Sequence, residues 1–205
     1  MHAAGTLSLT RSDRADLWTV IIVGAVAAAV TVGFAVNRLA DILPNSGVEV
    51  LVPFADTAAP VPIGPDGALV PVEIDQAVLT VSGLPGVVVA SLALAVVVDA
   101  LMVLTIIACL GTLCRNLMTR GRAFSRTNTR LVITTAIALI AGTSIGTLLQ
   151  TIGVNGAFAT VSERSYEAMV ATASLAPYFI ATGLAAVALA FKAGERLQRE
   201  TEGLV

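Results

Sequence analysis

Charge is what this sequence lacks most. Of its 205 residues only 13% are Asp, Glu, Lys or Arg, where a soluble domain carries about 25%. Histidine occurs once, as His2, and cysteine twice, as Cys109 and Cys114. Five residues apart on a helix, the two thiols point in different directions, which argues against a mutual disulfide. With no other Cys or His nearby, no zinc or haem ligand set is expected, and both thiols read as small packing residues. Aromatics make up 4%, too few for a surface that stacks bases or sugars. No nucleophile–base pair, glycine-rich phosphate loop or cofactor signature is evident, so the chain is read as a non-enzyme without a cofactor or bound metal and without direct nucleic-acid contact.

What remains is apolar: 56% of the residues are hydrophobic and the mean hydropathy is +0.88. The apolar residues fall into four blocks, at about 18–36, 84–113, 131–153 and 168–191. Each meets the roughly 20-residue length needed to cross a bilayer. Without water to satisfy backbone groups, each must be helical. Arg11 and Arg14 before the first block also suit a signal peptide. Its apolar run exceeds the roughly 7–15 residues usual there, and Val36-Asn37-Arg38 is a poor cleavage region, so a retained anchor is expected.

Basic residues orient the spans. Arg11 and Arg14 precede the first. Arg115, Arg120, Arg122, Arg126 and Arg130 separate the second from the third. Lys192, Arg196 and Arg199 follow the fourth. Of the twelve lysines and arginines, only Arg38 and Arg164 lie elsewhere. Four spans bring those three regions to one face, and the positive-inside rule makes that face cytoplasmic, with both termini inside. The expected localisation is therefore a bacterial cytoplasmic membrane.

The expected fold is an all-α transmembrane four-helix bundle with a small extracytoplasmic β-hairpin or three-stranded cap between the first two helices. The cap lies in residues 37–83, which hold Asp41, Glu49, Asp56, Asp66, Glu73 and Asp75 against Arg38 alone. Val48-Glu49-Val50-Leu51-Val52 alternates as a half-exposed strand does, and Gly64-Pro65-Asp66-Gly67 is a turn sequence. Pro53, Pro60, Pro62 and Pro71 suit edge strands. Two strands alone are marginal, so the cap should lean on helix ends or a neighbouring subunit. Residues 114–130 form a basic cytoplasmic loop, 154–167 a short polar outer loop, and 192–205 a cytoplasmic tail.

Few residues within the spans can carry chemistry. Asp99, near the middle of the second, is the only ionisable one well inside a span, where a carboxylate costs about 2.5–3.5 kcal/mol on insertion scales. It must face protein or water. Thr143, Ser144 and Thr147 on the third helix, or Tyr178 and Thr182 on the fourth, lie at similar depth. A neutral carboxyl that fixes packing and a proton- or cation-handling group are the two readings.

Ala138, Gly142 and Gly146 form a small-residue stripe with a GxxxG spacing that permits close backbone approach, within the chain or in a homo-oligomer. Ala25, Ala29 and Gly33 make a similar run in the first helix. Pro177 inside the fourth span predicts a kink at residues 173–178.

The cytoplasmic loop is the most distinctive segment. Arg120, Arg122, Arg126 and Arg130 are placed to meet anionic lipid at the inner face or a cytoplasmic regulator protein, with Phe124 anchored in the interface and Asn128 beside them. Ser125 is positioned to cap the third helix. The pattern Gly121-x-x-Phe124-Ser125-x-x-Asn128-x-x-Leu131, with Ala123 where proline is expected, resembles the bacterial family called domain of unknown function 2975. The four-span layout with an extended loop after the first span is similar too. That resemblance implies a regulatory or stress-linked membrane protein rather than an enzyme. The expected function is thus a non-catalytic scaffold or regulatory subunit, with a small transporter or channel subunit using Asp99 as the alternative.

Overall fold

A computed structural model describes residues 11–120, 124–163 and 174–202. Four helices and one hairpin follow in order: α1 (Arg11–Ile42), β1 (Val48–Pro62), β2 (Leu69–Val81), α2 (Gly86–Arg120), α3 (Arg126–Val161) and α4 (Ala176–Glu202). All four helices are long and apolar enough to cross a membrane. Their interiors hold runs of Ala, Val, Leu and Ile without proline. Many of their hydroxyl residues bond backward to the carbonyl one turn earlier, as Thr31 does to Ala27 at 2.8 Å and Thr105 to Leu101 at 2.7 Å. This local bonding satisfies the hydroxyl without a distant partner, which suits a helix in hydrocarbon.

The chain divides into two compact units. One comprises Val36–Val97 and Ile145–Ala173. It contains the antiparallel β1–β2 hairpin, in register from Val48 opposite Val81 to Pro62 opposite Leu69. The expected alternation is visible in the burial: Val48, Val50 and Val52 are at most 2% exposed, while Glu49 and Leu51 face outward. The three valines pack on Ile42, Leu84, Val88, Leu92, Val154, Ala157 and Phe158. Each such valine contributes about 1.5–3 kcal/mol on burial. The hairpin therefore leans on helix ends of its own chain.

A register shift between Pro53 and Thr57 marks a bulge. It carries Phe54, whose ring meets Phe158 edge-on at 5.4 Å; bulges re-aim side chains in this way. At the tip, Asp66 and Gly67 adopt positive φ of 57° and 78°, closing the Gly-Pro-Asp-Gly turn. At the base, the Leu84 N–H donates to Asn45 Oδ1 at 2.8 Å, and Asn45 Nδ2 donates to the Leu84 carbonyl at 2.9 Å. This two-way clasp ties the end of α1 to the start of α2.

Residues 37–42, 114–120, 126–130 and 192–202, expected in loops and tail, instead extend α1, α2, α3 and α4. Two further expectations are overturned. Residues 154–161 are helical rather than part of an outer loop, because Val154, Ala157 and Phe158 are drawn into the hairpin core. Gly153 and Gly156 leave room there for Leu92 and Val88. The expected kink at Pro177 does not arise. The helix begins at Ala176, so Pro177 occupies the first turn, where its missing N–H costs nothing.

The other unit comprises Met1–Ala35, Val98–Ser144 and Ser174–Val205. Within it Gly24 lies against Ile107, while the most apolar stretch of α1 has no buried residue. The Ala25, Ala29 and Gly33 run is accordingly open: nothing approaches within 4 Å of the position a Cβ would take at Gly33. Gly142 differs, since a Cβ there would fall 2.6 Å from the Met102 side chain. Gly142 of α3 thus seats Met102 of α2 in the same chain, and Gly142 and Gly146 are each buried. Cys109 and Cys114 are free and buried.

Candidate functional site: the basic end of α3 and α4

The start of α3 is built as a structured corner. Ser125 accepts the Asn128 N–H at 3.2 Å, capping the helix. Asn128 was expected beside the arginines at a lipid- or partner-facing surface, but it is 0% exposed. Its Oδ1 accepts a hydrogen bond from Asn116 Nδ2 of α2 at 3.0 Å. Burial follows from this bond, because a carboxamide removed from water needs a polar partner. Phe124 packs edge-on against Phe191 of α4 at 5.5 Å. It also fills the space beside Gly194, where a Cβ would lie 2.7 Å from its ring. Phe124, Ser125 and Asn128 of the loop pattern are therefore the residues that join α2, α3 and α4.

On the outside of that corner, α3 and α4 enclose a groove of about 600 Å³. Arg126, Thr129, Arg130 and Ile133 line it from α3; Leu189, Lys192, Ala193, Glu195 and Arg196 line it from α4. Arg126 Nε lies 3.4 Å from Glu195 Oε1, and Arg196 Nε lies 3.6 Å from Glu200. Glu195 is largely covered, at 16% exposed, whereas Arg126 is 73% exposed; the carboxylate thus braces the guanidinium at the groove wall. Arg130 and Lys192 form no ion pair among the described residues. Sequence reasoning found Arg126 and Arg130 but missed the α4 wall. The available signal was Lys192 and Arg196, one helical turn apart. Only the antiparallel packing of α4 on α3 shows that they share a groove with Arg126 and Arg130. Arg122 and the Arg120 side chain lie outside the described residues.

The polar residues expected to face one another within the apolar helices do not converge. Ser144 Oγ and Tyr178 Oη are 2.9 Å apart and bond each other. Thr143 points its hydroxyl at Met102 Sδ, 3.8 Å away. Thr182 donates to the Tyr178 carbonyl at 2.9 Å, and the Thr147 carbonyl accepts from Thr151 at 2.8 Å. Asp99 is exposed on α2 and has no hydrogen bond or ion pair among the described residues. Of the groups expected to partner it, Thr143, Ser144, Tyr178 and Thr182 are engaged with Met102, with one another or with backbone.

Comparison with protein-family models, with curated proteins and with solved structures finds no match to the chain.

Proposed function

We propose that this chain is a non-catalytic multi-pass protein of a bacterial cytoplasmic membrane. Both termini face the cytoplasm, and its inner end serves as a scaffold or regulatory surface for a cytoplasmic protein. The observation that carries this reading is the built corner at the basic end. A buried Asn116–Asn128 bond, an aromatic pair and a helix cap hold three helices where the positive-inside rule puts the cytoplasm. Such a corner presents a fixed surface instead of a loose loop. The likeness of its Phe124, Ser125 and Asn128 to the domain of unknown function 2975 pattern supports the regulatory reading.

Photo-cross-linking in cells tests it. A cross-linker at exposed Thr127 should capture one recurrent cytosolic protein, and one at exposed Glu73 in β2 should not. Recurrent capture from Glu73 alone, or from neither position, refutes the reading.

Asp99 supports a second reading, proton or cation handling, because a carboxyl in a span without a partner among the described residues is costly unless it meets water or an ion. Ion flux in proteoliposomes that Asp99→Asn abolishes establishes this reading; absence of flux in the parent removes it.

A further inference from the structure

We propose that the α3–α4 groove is a binding site for an anionic phospholipid. The polarity gradient along both walls carries the inference. From the helix ends toward the span interior, α3 presents Arg126, Arg130 and then Ile133, while α4 presents Arg196, Lys192 and then Leu189. Each wall is cationic at its outer part and apolar one turn deeper. Ile133 and Leu189 are 43% and 68% exposed, so the apolar part is open to an acyl chain. A phospholipid has this order: a phosphate at the interface and hydrocarbon beneath it. A nucleotide or an acidic peptide would leave the apolar part uncovered.

Charge points the same way. The walls hold four cations against the single carboxylate of Glu195, and Arg130 and Lys192 are free to meet a phosphate. Arg126, braced by Glu195, is held at the rim, where a planar guanidinium meets phosphate oxygens bidentately. Basic pockets between membrane helices at the inner face bind anionic headgroups in this manner.

The site rests on the proposed membrane insertion and orientation, not on the identity of any protein partner. Alkaline carbonate extraction tests insertion separately: release of the chain refutes the membrane reading itself, whereas retention leaves the lipid site to be decided on its own.

The deciding experiment is native mass spectrometry of the full chain in mild detergent, titrated with phosphatidylglycerol or with phosphatidylcholine of the same acyl chains. The parent should retain phosphatidylglycerol at least about 10-fold more tightly. Arg130→Gln with Lys192→Gln should weaken that retention about 30-fold, whereas Arg11→Gln with Arg14→Gln should leave it unchanged. Leu189→Ser should weaken retention of the lipid, and millimolar inorganic phosphate should not displace it. Equal retention of the two lipids, an unaffected double variant, or displacement by inorganic phosphate would each overturn the proposal. The last would identify a site for a soluble anion.

Discussion

Asn116 donates to Asn128 across 3.0 Å between α2 and α3, and Asn128 is wholly shielded from solvent. This bond accounts for an asparagine within a basic, polar segment that nonetheless points inward. Asn128→Ala leaves the Asn116 amide without its acceptor and should cost about 1–3 kcal/mol. Thermal unfolding in detergent reads this as a drop in Tm. An unchanged Tm would mean that the corner is held by Phe124 and Ser125 alone.

Close packing at Gly142 makes a paired prediction. Gly142→Val places side-chain atoms into Met102 and should destabilise by about 1–3 kcal/mol through overpacking. Gly33→Val enters open space and should change stability by less than about 0.5 kcal/mol. Met102→Ala should partly rescue Gly142→Val. Equal effects at the two glycines would show that α3 does not press on α2 there.

Orientation can be read by cysteine labelling. Glu73→Cys, exposed in β2, should react with a membrane-impermeant maleimide in intact cells, and Thr127→Cys only after permeabilisation. Buried Cys109 and Cys114 should react slowly under both conditions. The reverse pattern would invert the topology.

Pro177 sits in the first turn of α4, so Pro177→Ala restores no interior hydrogen bond. Its effect should stay within about 1 kcal/mol, and circular dichroism should show unchanged helix content. A gain of several helical residues would put the proline back inside a longer helix.

Asp99→Leu tests whether the carboxyl holds the chain together. With no bond to lose among the described residues, the substitution should leave Tm in detergent unchanged or raised, since leucine is favoured over aspartate at a span centre by about 3 kcal/mol. A fall of several degrees would reveal an interaction that stabilises the chain.

The elements of this protein were legible in its sequence because their signals are local. Runs of Ala, Val, Leu and Ile with at most one charge, long enough to span a bilayer, carry the helix signal in their own composition and length. Val48, Val50 and Val52 alternate, and Gly64-Pro65-Asp66-Gly67 turns, by constraints that each residue carries itself. Ser125 caps α3 for the same reason. Helix ends were harder to read. Residues 154–161 join α3 because the hairpin core rewards burying Val154, Ala157 and Phe158, and no local signal encodes that reward. The site depended on packing still more. Asn128 reads as a surface residue until Asn116 is brought to it. Lys192 and Arg196 read as an orientation signal until α4 lies antiparallel beside Arg126 and Arg130. Which small-residue stripe is occupied was likewise settled in three dimensions: Gly142 meets Met102 and Gly33 meets nothing. Composition and periodicity act along one chain segment, whereas a groove or a buried hydrogen bond needs two segments whose separation in sequence says nothing of their distance in space.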